Sequence, residues 1–120
     1  MLRILVVDDN ASFREAFSLG LDYQPDFEVV AQAGSLAEAR ANRLEGIDVA
    51  IIDRRLPDGD GLELLGELRE ASSGAKVLMM SAVMEPVQPR EALKVGVDGV
   101  IDKIASPEEI AAQIRAVRAV

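Results

Sequence analysis

Short apolar runs that alternate with helix signals constrain the fold of this chain more than any other feature of its sequence. The runs consist mainly of aliphatic residues and are found at residues 2–7, 27–31, 49–52, 77–80 and 97–101. Short, continuous apolar runs are typical of strands that are buried on both faces of a parallel sheet. We therefore expect five parallel strands, with a crossover connection between each strand and the next.

Capping residues and helical spacing mark the segments between these runs as helices. Ser35 begins a capping-box pattern, and Asp60 can cap a helix in which leucines recur at helical spacing. Ser106, followed by proline, marks the start of the last helix. Another helix is expected within residues 10–21, and a weak one after Pro89. Because crossovers between parallel strands are right-handed, this order predicts an α/β sheet with helices on both faces.

The composition fits one domain with an aliphatic core, and it excludes several kinds of chemistry. The chain has 120 residues, of which 49% are hydrophobic and 3% aromatic, without cysteine or histidine. Disulfides, thiolate metal sites and histidine catalysis are therefore excluded. The net charge of −8 argues against binding of nucleic acid or an anionic membrane by this chain itself. The apolar runs are too short to span a bilayer or to form a signal peptide, so we expect a cytoplasmic protein.

Polar residues follow the predicted strands at one edge of the sheet. Asp8 and Asp9 follow the first strand, and Asp53 follows the third. Ser81 follows the fourth strand, and Lys103 lies just past the fifth. Ligands of such sheets bind beyond the carboxyl ends of the strands. Two like charges about 4 Å apart repel by about 4 kcal/mol at an effective dielectric constant of about 20, so clustered carboxylates predict a divalent cation, for which Mg²⁺ is suited.

Each of these residues alone also has an ordinary structural explanation. A single aspartate at a strand end is usually a cap or turn residue, and the acidic pair could simply precede a helix. Ser81 alone could be a helix cap, and Lys103 alone could be a surface charge. Their joint occurrence at successive strand ends favours a functional site over these explanations.

The segments that contain these residues resemble a response-regulator receiver domain. They read LRILVVDDN, DVAIIDRRLPDGDGLELLGELR, KVLMMSA and GVDGVIDKIASPEEI, and the resemblance covers the whole chain. It implies a single flavodoxin-like (βα)5 domain over residues 1–120, with a five-stranded parallel sheet in the order 2-1-3-4-5. The segment KIASPEEI is most similar to the subgroup whose output is a LuxR-type helix-turn-helix domain.

The resemblance implies a phosphoacceptor and a metal site at the acidic edge. Asp53 would accept a phosphoryl group from the phosphohistidine of a sensor histidine kinase. Mg²⁺ would be held by Asp8, Asp9, Asp53 and the backbone carbonyl of Arg55, with Asp8 acting mostly through water. Carboxylates are known phosphoryl acceptors, and such transfer depends on positioning and charge neutralisation.

Ser81 and Lys103 would contact the phosphoryl group, and the sequence departs from the usual receiver pattern near the lysine. Ser81 would donate a hydrogen bond to a phosphoryl oxygen, and Lys103 would pair with the group. Most receivers have an aromatic residue three positions before the lysine, where this chain has Val100. An aromatic rotamer switch therefore cannot operate, and coupling must run through Ser81, the loop after it, or backbone shifts. Ile104 stands where most receivers have proline, so we expect no cis peptide there.

The implied function is a signalling switch of a two-component system, with only slow self-phosphorylation and autodephosphorylation. DNA would be bound through a fused output domain. Alternatively, the receiver would act alone through contacts with other proteins. Formation of a homodimer is a further possibility. Two other protein classes are alternatives. A haloacid-dehalogenase-like Mg²⁺ phosphatase has its nucleophile in an Asp-x-Asp pattern after the first strand, and a flavodoxin-like electron carrier has a phosphate-binding loop there. The segment Asp8-Asp9-Asn10 has neither pattern, which favours the receiver and leaves the phosphatase as the second alternative.

Overall fold

Parallel strands form the centre of the fold, in the predicted order. The computed structural model describes residues 1–81 and 95–119, except for the side chain of Ser81. The strands are β1 (Leu2–Val7), β2 (Phe27–Ala33), β3 (Val49–Asp53), β4 (Arg55–Leu56), β5 (Gly59–Asp60), β6 (Lys76–Ser81) and β7 (Gly99–Asp102). Five of them form one sheet in the order β2-β1-β3-β6-β7, and all of its pairings are parallel. Counted along that sheet alone, this is the order 2-1-3-4-5, so the predicted fold class is confirmed.

Helices connect the strands, and their first turns carry the predicted caps. The helices are α1 (Ala11–Asp22), α2 (Leu36–Ala41), a 3-10 turn (Gly61–Glu63) leading into α3 (Leu64–Ala71), and α4 (Pro107–Arg118). The side chains of Ser35, Asp60 and Ser106 each accept a hydrogen bond from a backbone N–H of the following turn. The helix expected after Pro89 lies outside the described residues. Among residues 1–81 and 95–119, no helix combines the length and apolar character that a membrane-spanning segment needs.

The two faces of the sheet carry separate aliphatic cores, because successive side chains of a strand point to opposite faces. Leu5 and Val7 of β1 pack with buried residues of α2 and α3. Ile4 and Val6 pack on the other face with buried residues of α1 and α4. All four side chains are fully buried, and burial of one such side chain stabilises the fold by about 1.5–3 kcal/mol. The helices therefore cover both faces of the sheet.

Two strand bounds differ from the sequence prediction by two residues, for identifiable reasons, and the others agree within one residue. β2 continues through Gln32 and Ala33, which pair with the last two residues of β1. Because β2 is an edge strand, the exposed Gln32 fits there although it interrupts the apolar run. β7 begins two residues later than predicted, at Gly99. The side-chain carboxylate of the preceding residue, Asp98, accepts the N–H of Val77 in β6 at 2.8 Å. This side-chain bond takes the place of the backbone bond by which β7 would otherwise pair with β6 at that position.

The first turn of α2 receives a cap from a distant loop that the sequence analysis did not predict. The carboxylate of Asp58 accepts the N–H of Leu36 at 2.8 Å and the N–H of Ala37 at 3.0 Å. These hydrogen bonds hold the pKa of Asp58 below its ordinary value of 3.8. The loop that follows β3 is thereby tied to the start of α2.

Asp58 should titrate below its ordinary pKa, and the stability it contributes should depend on pH. Because its folded-state pKa is lowered, the contribution is complete above pH 3.8 and is lost as the pH falls through the folded-state value. In urea unfolding, Asp58→Asn should therefore destabilise the protein at neutral pH, and the difference from wild type should shrink in acid. A carboxyl titration by NMR with a midpoint at or above 3.8 would contradict this assignment.

Candidate functional site

Carboxylates from two adjacent strands converge at the carboxyl edge of the sheet. Asp8 and Asp9 directly follow β1, and Asp53 is the last residue of β3, which pairs with β1. One carboxylate oxygen from each of the three residues lies within 4.8 Å of the other two. Asp8 is fully buried, Asp53 is partly buried with its side chain 15% exposed, and Asp9 is exposed. The structure therefore brings together the three acidic side chains singled out in the sequence.

Lys103 supplies a positive charge to this cluster. Its Nζ lies 2.9 Å from Asp8 Oδ2 and 3.0 Å from Asp53 Oδ2. Burial acts to lower the pKa of the Lys103 ammonium, but the hydrogen bonds and charges of Asp8 and Asp53 outweigh it and raise the pKa above 10.5. Lys103 is therefore protonated at neutral pH. The cluster contains three carboxyl groups and one ammonium group, so the acidic groups outnumber the basic one and a cation can bind there.

The ammonium group of Lys103 is also held from the side of α1. Its Nζ lies 5.0 Å from the centroid of the Phe13 ring, and Phe13 stacks on Phe17 at 5.5 Å. A cation over an aromatic face gains about 0.5–1 kcal/mol at an exposed site. Phe13 thus helps to position the lysine head group between the two aspartates. The helical spacing of Phe13 and Phe17 in the sequence did not indicate this contact.

The segment after Asp53 folds back beside the carboxylate of Asp53. The N–H of Arg55 donates to Asp53 Oδ1 at 3.3 Å. Arg55 then pairs with Asp60 in the antiparallel β4–β5 ladder, and the guanidinium of Arg54 binds Asp60 at 3.2 Å. The backbone of Arg55, whose carbonyl was singled out as a metal ligand, is therefore held next to Asp53.

Gly61 allows this close return of the chain, a role that was not predicted from the sequence. A Cβ atom at Gly61 would collide with the carbonyl oxygen of Asp53 and lie 2.6 Å from Ile52 Cγ2. The N–H of Gly61 also donates to the carbonyl of Arg54 at 2.7 Å. Only a residue without a side chain fits between β3 and the 3-10 turn. The repeated glycines of the DGDG segment were a signal that could have indicated this position.

Gly61→Ala should destabilise the protein by about 1–3 kcal/mol, because the backbone of β3 must shift to admit the methyl group. Urea unfolding would measure this loss. Gly66→Ala is a matched control, since nothing lies within 4 Å of a Cβ at Gly66 in α3. The control should stabilise the protein by about 0.5–1 kcal/mol, because alanine is the better helix former. Equal behaviour of the two variants would contradict the packing described around Gly61.

The remaining predicted site residue, Ser81, is described in its backbone alone. It is the last residue of β6 and pairs with Asp102, the residue before Lys103. Its side chain and the loop to Met84 lie outside the described residues. Val100 lies in β7, partly buried against the core that includes α2 and α3. Ile104 is 73% exposed just beyond Lys103.

Residues 4–115 match the family model for the response regulator receiver domain. The chain belongs to this family. The match spans β1 to α4, including all three clustered aspartates and Lys103. The predicted receiver assignment is therefore confirmed, and the family match favours it over the phosphatase and flavodoxin alternatives.

Curated relatives of this receiver domain are regulators of transcription. It is 36% identical over 118 residues to the transcriptional regulatory protein UhpA of Escherichia coli, covering 98% of this chain and 59% of the relative. It is 32% identical over 121 residues to the DNA-binding transcriptional activator DevR/DosR of Mycobacterium tuberculosis, covering 99% of this chain and 55% of the relative. The chain thus spans somewhat more than half the length of these relatives.

Solved structures show the same receiver fold. The response regulator domain of Thermotoga maritima CheB superposes with a TM-score of 0.81 at 30% identity, covering 100% of this chain and 98% of that one. A DNA-binding response regulator of the LuxR family from Staphylococcus aureus superposes with a TM-score of 0.82 at 25% identity, covering 98% and 99% of the two chains. Together with the curated relatives, this similarity confirms the predicted LuxR-type subgroup.

Proposed function

We propose that this receiver domain, formed by residues 1–120, is a switch that accepts a phosphoryl group on Asp53. The donor is the phosphohistidine of a sensor histidine kinase. The observation that carries the proposal is the position of the Asp53 carboxylate, at the end of β3 and 3.0 Å from the Lys103 ammonium. Of the three clustered carboxylates, Asp8 is fully buried and cannot reach a donor, whereas Asp53 remains partly exposed.

The same cluster fits a Mg²⁺ ion. Its three carboxylate oxygens lie within 4.8 Å of one another, and Mg²⁺ prefers oxygen ligands together with water and phosphate. Asp9, Asp53 and the backbone carbonyl of Arg55 would hold the ion directly, and Asp8 mostly through water. When bound, the ion supplies neutralisation of the negative charge on the phosphoryl oxygens.

The residues of the chain provide orientation and charge for the transfer. An oxygen of Asp53 forms the new bond to phosphorus as the bond from phosphorus to the histidine nitrogen breaks. The N–H of Arg55 and the ammonium of Lys103 hold the two oxygens of that carboxylate, which fixes its plane. Because the pKa of Lys103 is raised, the lysine stabilises charge and does not accept a proton. Such placement contributes more to phosphoryl transfer than acid–base chemistry does.

The phosphoryl group then acts as a new local charge. It carries about −1.5 to −2 at neutral pH and has strong acceptor oxygens. Lys103 pairs with it, and Ser81 donates a hydrogen bond to it. Since Val100 is not aromatic, the change is transmitted by Ser81 and the backbone. The output is a shift in population between two packings of the domain.

The proposed setting is a cytoplasmic transcriptional regulator in which this receiver controls a fused DNA-binding domain. The similarity to UhpA and DevR/DosR supports that setting. The net charge of −8 also supports assigning DNA contact to another domain. A homodimer of receivers is part of this proposal, and a stand-alone receiver that acts by protein contacts is the alternative. Turnover is limited to slow self-phosphorylation and autodephosphorylation.

Beryllofluoride, an analogue of the phosphoryl group, tests the proposed function. In NMR spectra recorded with Mg²⁺, its addition should shift the backbone amides of Asp53, Arg55 and Lys103. Mg²⁺ alone should produce smaller shifts, and beryllofluoride without Mg²⁺ should produce none. Spectra that do not change at these residues would contradict the proposal.

A further inference from the structure

Arg14 of α1 reaches back to the backbone of the first aspartate in the cluster. Its Nη1 donates to the carbonyl oxygen of Asp8 at 2.7 Å. Its Nε is buried and has no hydrogen-bond partner within the described residues. An arginine near the positive end of a helix is disfavoured by the helix dipole, and a buried unpaired N–H adds a further cost. An arginine side chain that served only solubility would extend into the solvent. The hydrogen bond from Arg14 to the Asp8 carbonyl therefore requires a structural explanation.

The contact adds to the hydrogen bonds and the ion pair that hold Asp8. The N–H of Asp8 donates to Ala33 at 2.9 Å. Its Oδ1 accepts the N–H of Asn10 at 2.9 Å, and its Oδ2 lies 2.9 Å from Lys103 Nζ. Arg14 binds the remaining polar atom, the carbonyl oxygen. That oxygen belongs to the planar peptide that joins Asp8 to Asp9. Holding the oxygen therefore fixes the direction in which the chain enters Asp9.

Gly34 gives the guanidinium its space. A Cβ atom at Gly34 would lie 3.0 Å from Arg14 Nη1, which is tighter than an ordinary contact. Gly34 is itself held by Glu38, whose Oε1 accepts its N–H at 3.1 Å. Any side chain at position 34 would thus press on the guanidinium while leaving Arg14 in the sequence.

We propose that Arg14 is a positioning residue: its guanidinium holds the Asp8–Asp9 peptide so that both carboxylates face Asp53, and it thereby sets the affinity for the divalent cation. The inference rests on the proposed function, because it assumes that Mg²⁺ binds this cluster. Outer partners that orient metal ligands commonly contribute about 10–100-fold to metal affinity.

The test compares Mg²⁺ binding by calorimetry with unfolding in urea for each variant. Arg14→Ala should weaken Mg²⁺ binding about tenfold, and Arg14→Lys should restore part of it, because an ammonium can also donate to the Asp8 carbonyl. Gly34→Ala should weaken binding less, since it displaces the guanidinium without removing it. Arg69→Ala is the matched control. It removes a similar bond, from Arg69 Nη2 to the carbonyl of Gly96 at 2.6 Å, and should change stability without changing Mg²⁺ affinity.

The outcomes separate this inference from the proposed function. If the wild type binds no Mg²⁺, the proposed function fails and the inference fails with it. If the wild type binds Mg²⁺ and Arg14→Ala binds it equally well, the inference alone is overturned. It is also overturned if Arg69→Ala weakens binding as much as Arg14→Ala. Should Arg14→Ala not fold, Gly34→Ala decides: unchanged Mg²⁺ affinity in that variant contradicts the positioning role.

Discussion

With acetyl phosphate and Mg²⁺, the intact mass of the wild-type chain should rise by one phosphoryl group, and Asp53→Asn should abolish this rise. An amide cannot form the acyl phosphate at neutral pH, and the neighbouring carboxylates are not equivalent substitutes. Asp8 is fully buried and bound to Lys103, and Asp9 is exposed without the lysine contact that Asp53 has at 3.0 Å. Intact-mass spectrometry measures the modified fraction directly.

The matched control is Asp26→Asn, at the opposite end of the sheet. Asp26 directly precedes β2 and therefore lies at the amino end of that strand. Its carboxylate pairs with the guanidinium of Arg115 at 2.7 Å. This variant should be modified to the same extent as the wild type. Modification that persists in Asp53→Asn, or that is lost equally in Asp26→Asn, would show that Asp53 is not the acceptor.

Lys103→Met should lower the free energy of unfolding by about 3 kcal/mol in the absence of divalent ions. The substitution keeps an apolar side chain beside Phe13 but leaves the carboxylate of Asp8 without its ammonium partner at 2.9 Å. Asp8 is fully buried, and a buried charge that loses its partner is strongly destabilising. The loss is not larger because Lys103 is 22% exposed, so some water already reaches this ion pair.

A double-mutant cycle identifies the cause of this loss. Asp8→Asn combined with Lys103→Met should be destabilised far less than the sum of the two single variants, because the unpaired charge is then absent. Lys76→Met, at the amino end of β6, is the control and should stay within about 0.5 kcal/mol of the wild type. Additive effects of Asp8→Asn and Lys103→Met would contradict the pairing seen in the structure.

The sequence predicted those parts of the fold that depend on local patterns. The buried runs of β1 and β3 and the caps Ser35, Asp60 and Ser106 all lie where they were expected. Alternating strands and helices left few arrangements open, because crossovers are right-handed. The end of β2 was not predictable from hydrophobicity, since an edge strand accepts the exposed Gln32. Hydrophobicity therefore misplaced the end of β2, where one face of the strand is exposed to water.

The residues of the site were predictable from the sequence, but several of the contacts that position them were not. Asp8, Asp53 and Lys103 follow strands whose carboxyl ends meet at one edge, so their proximity follows from the topology. In contrast, the bond from Arg14 to the Asp8 carbonyl depends on the angle at which α1 leaves β1. The cap of α2 joins Asp58 to a residue 22 positions away. Such contacts form only after packing has fixed the loops, and no local residue pattern encodes them.

A crystal structure with Mn²⁺ in place of Mg²⁺ shows whether the acidic cluster binds a divalent cation, because anomalous scattering locates the ion independently of any assumption about its ligands. We expect one strong peak at the carboxyl edge of the sheet, about 2.0–2.3 Å from oxygens of Asp9, Asp53 and the Arg55 carbonyl. No peak between these three residues, or a peak held by other residues alone, would contradict it.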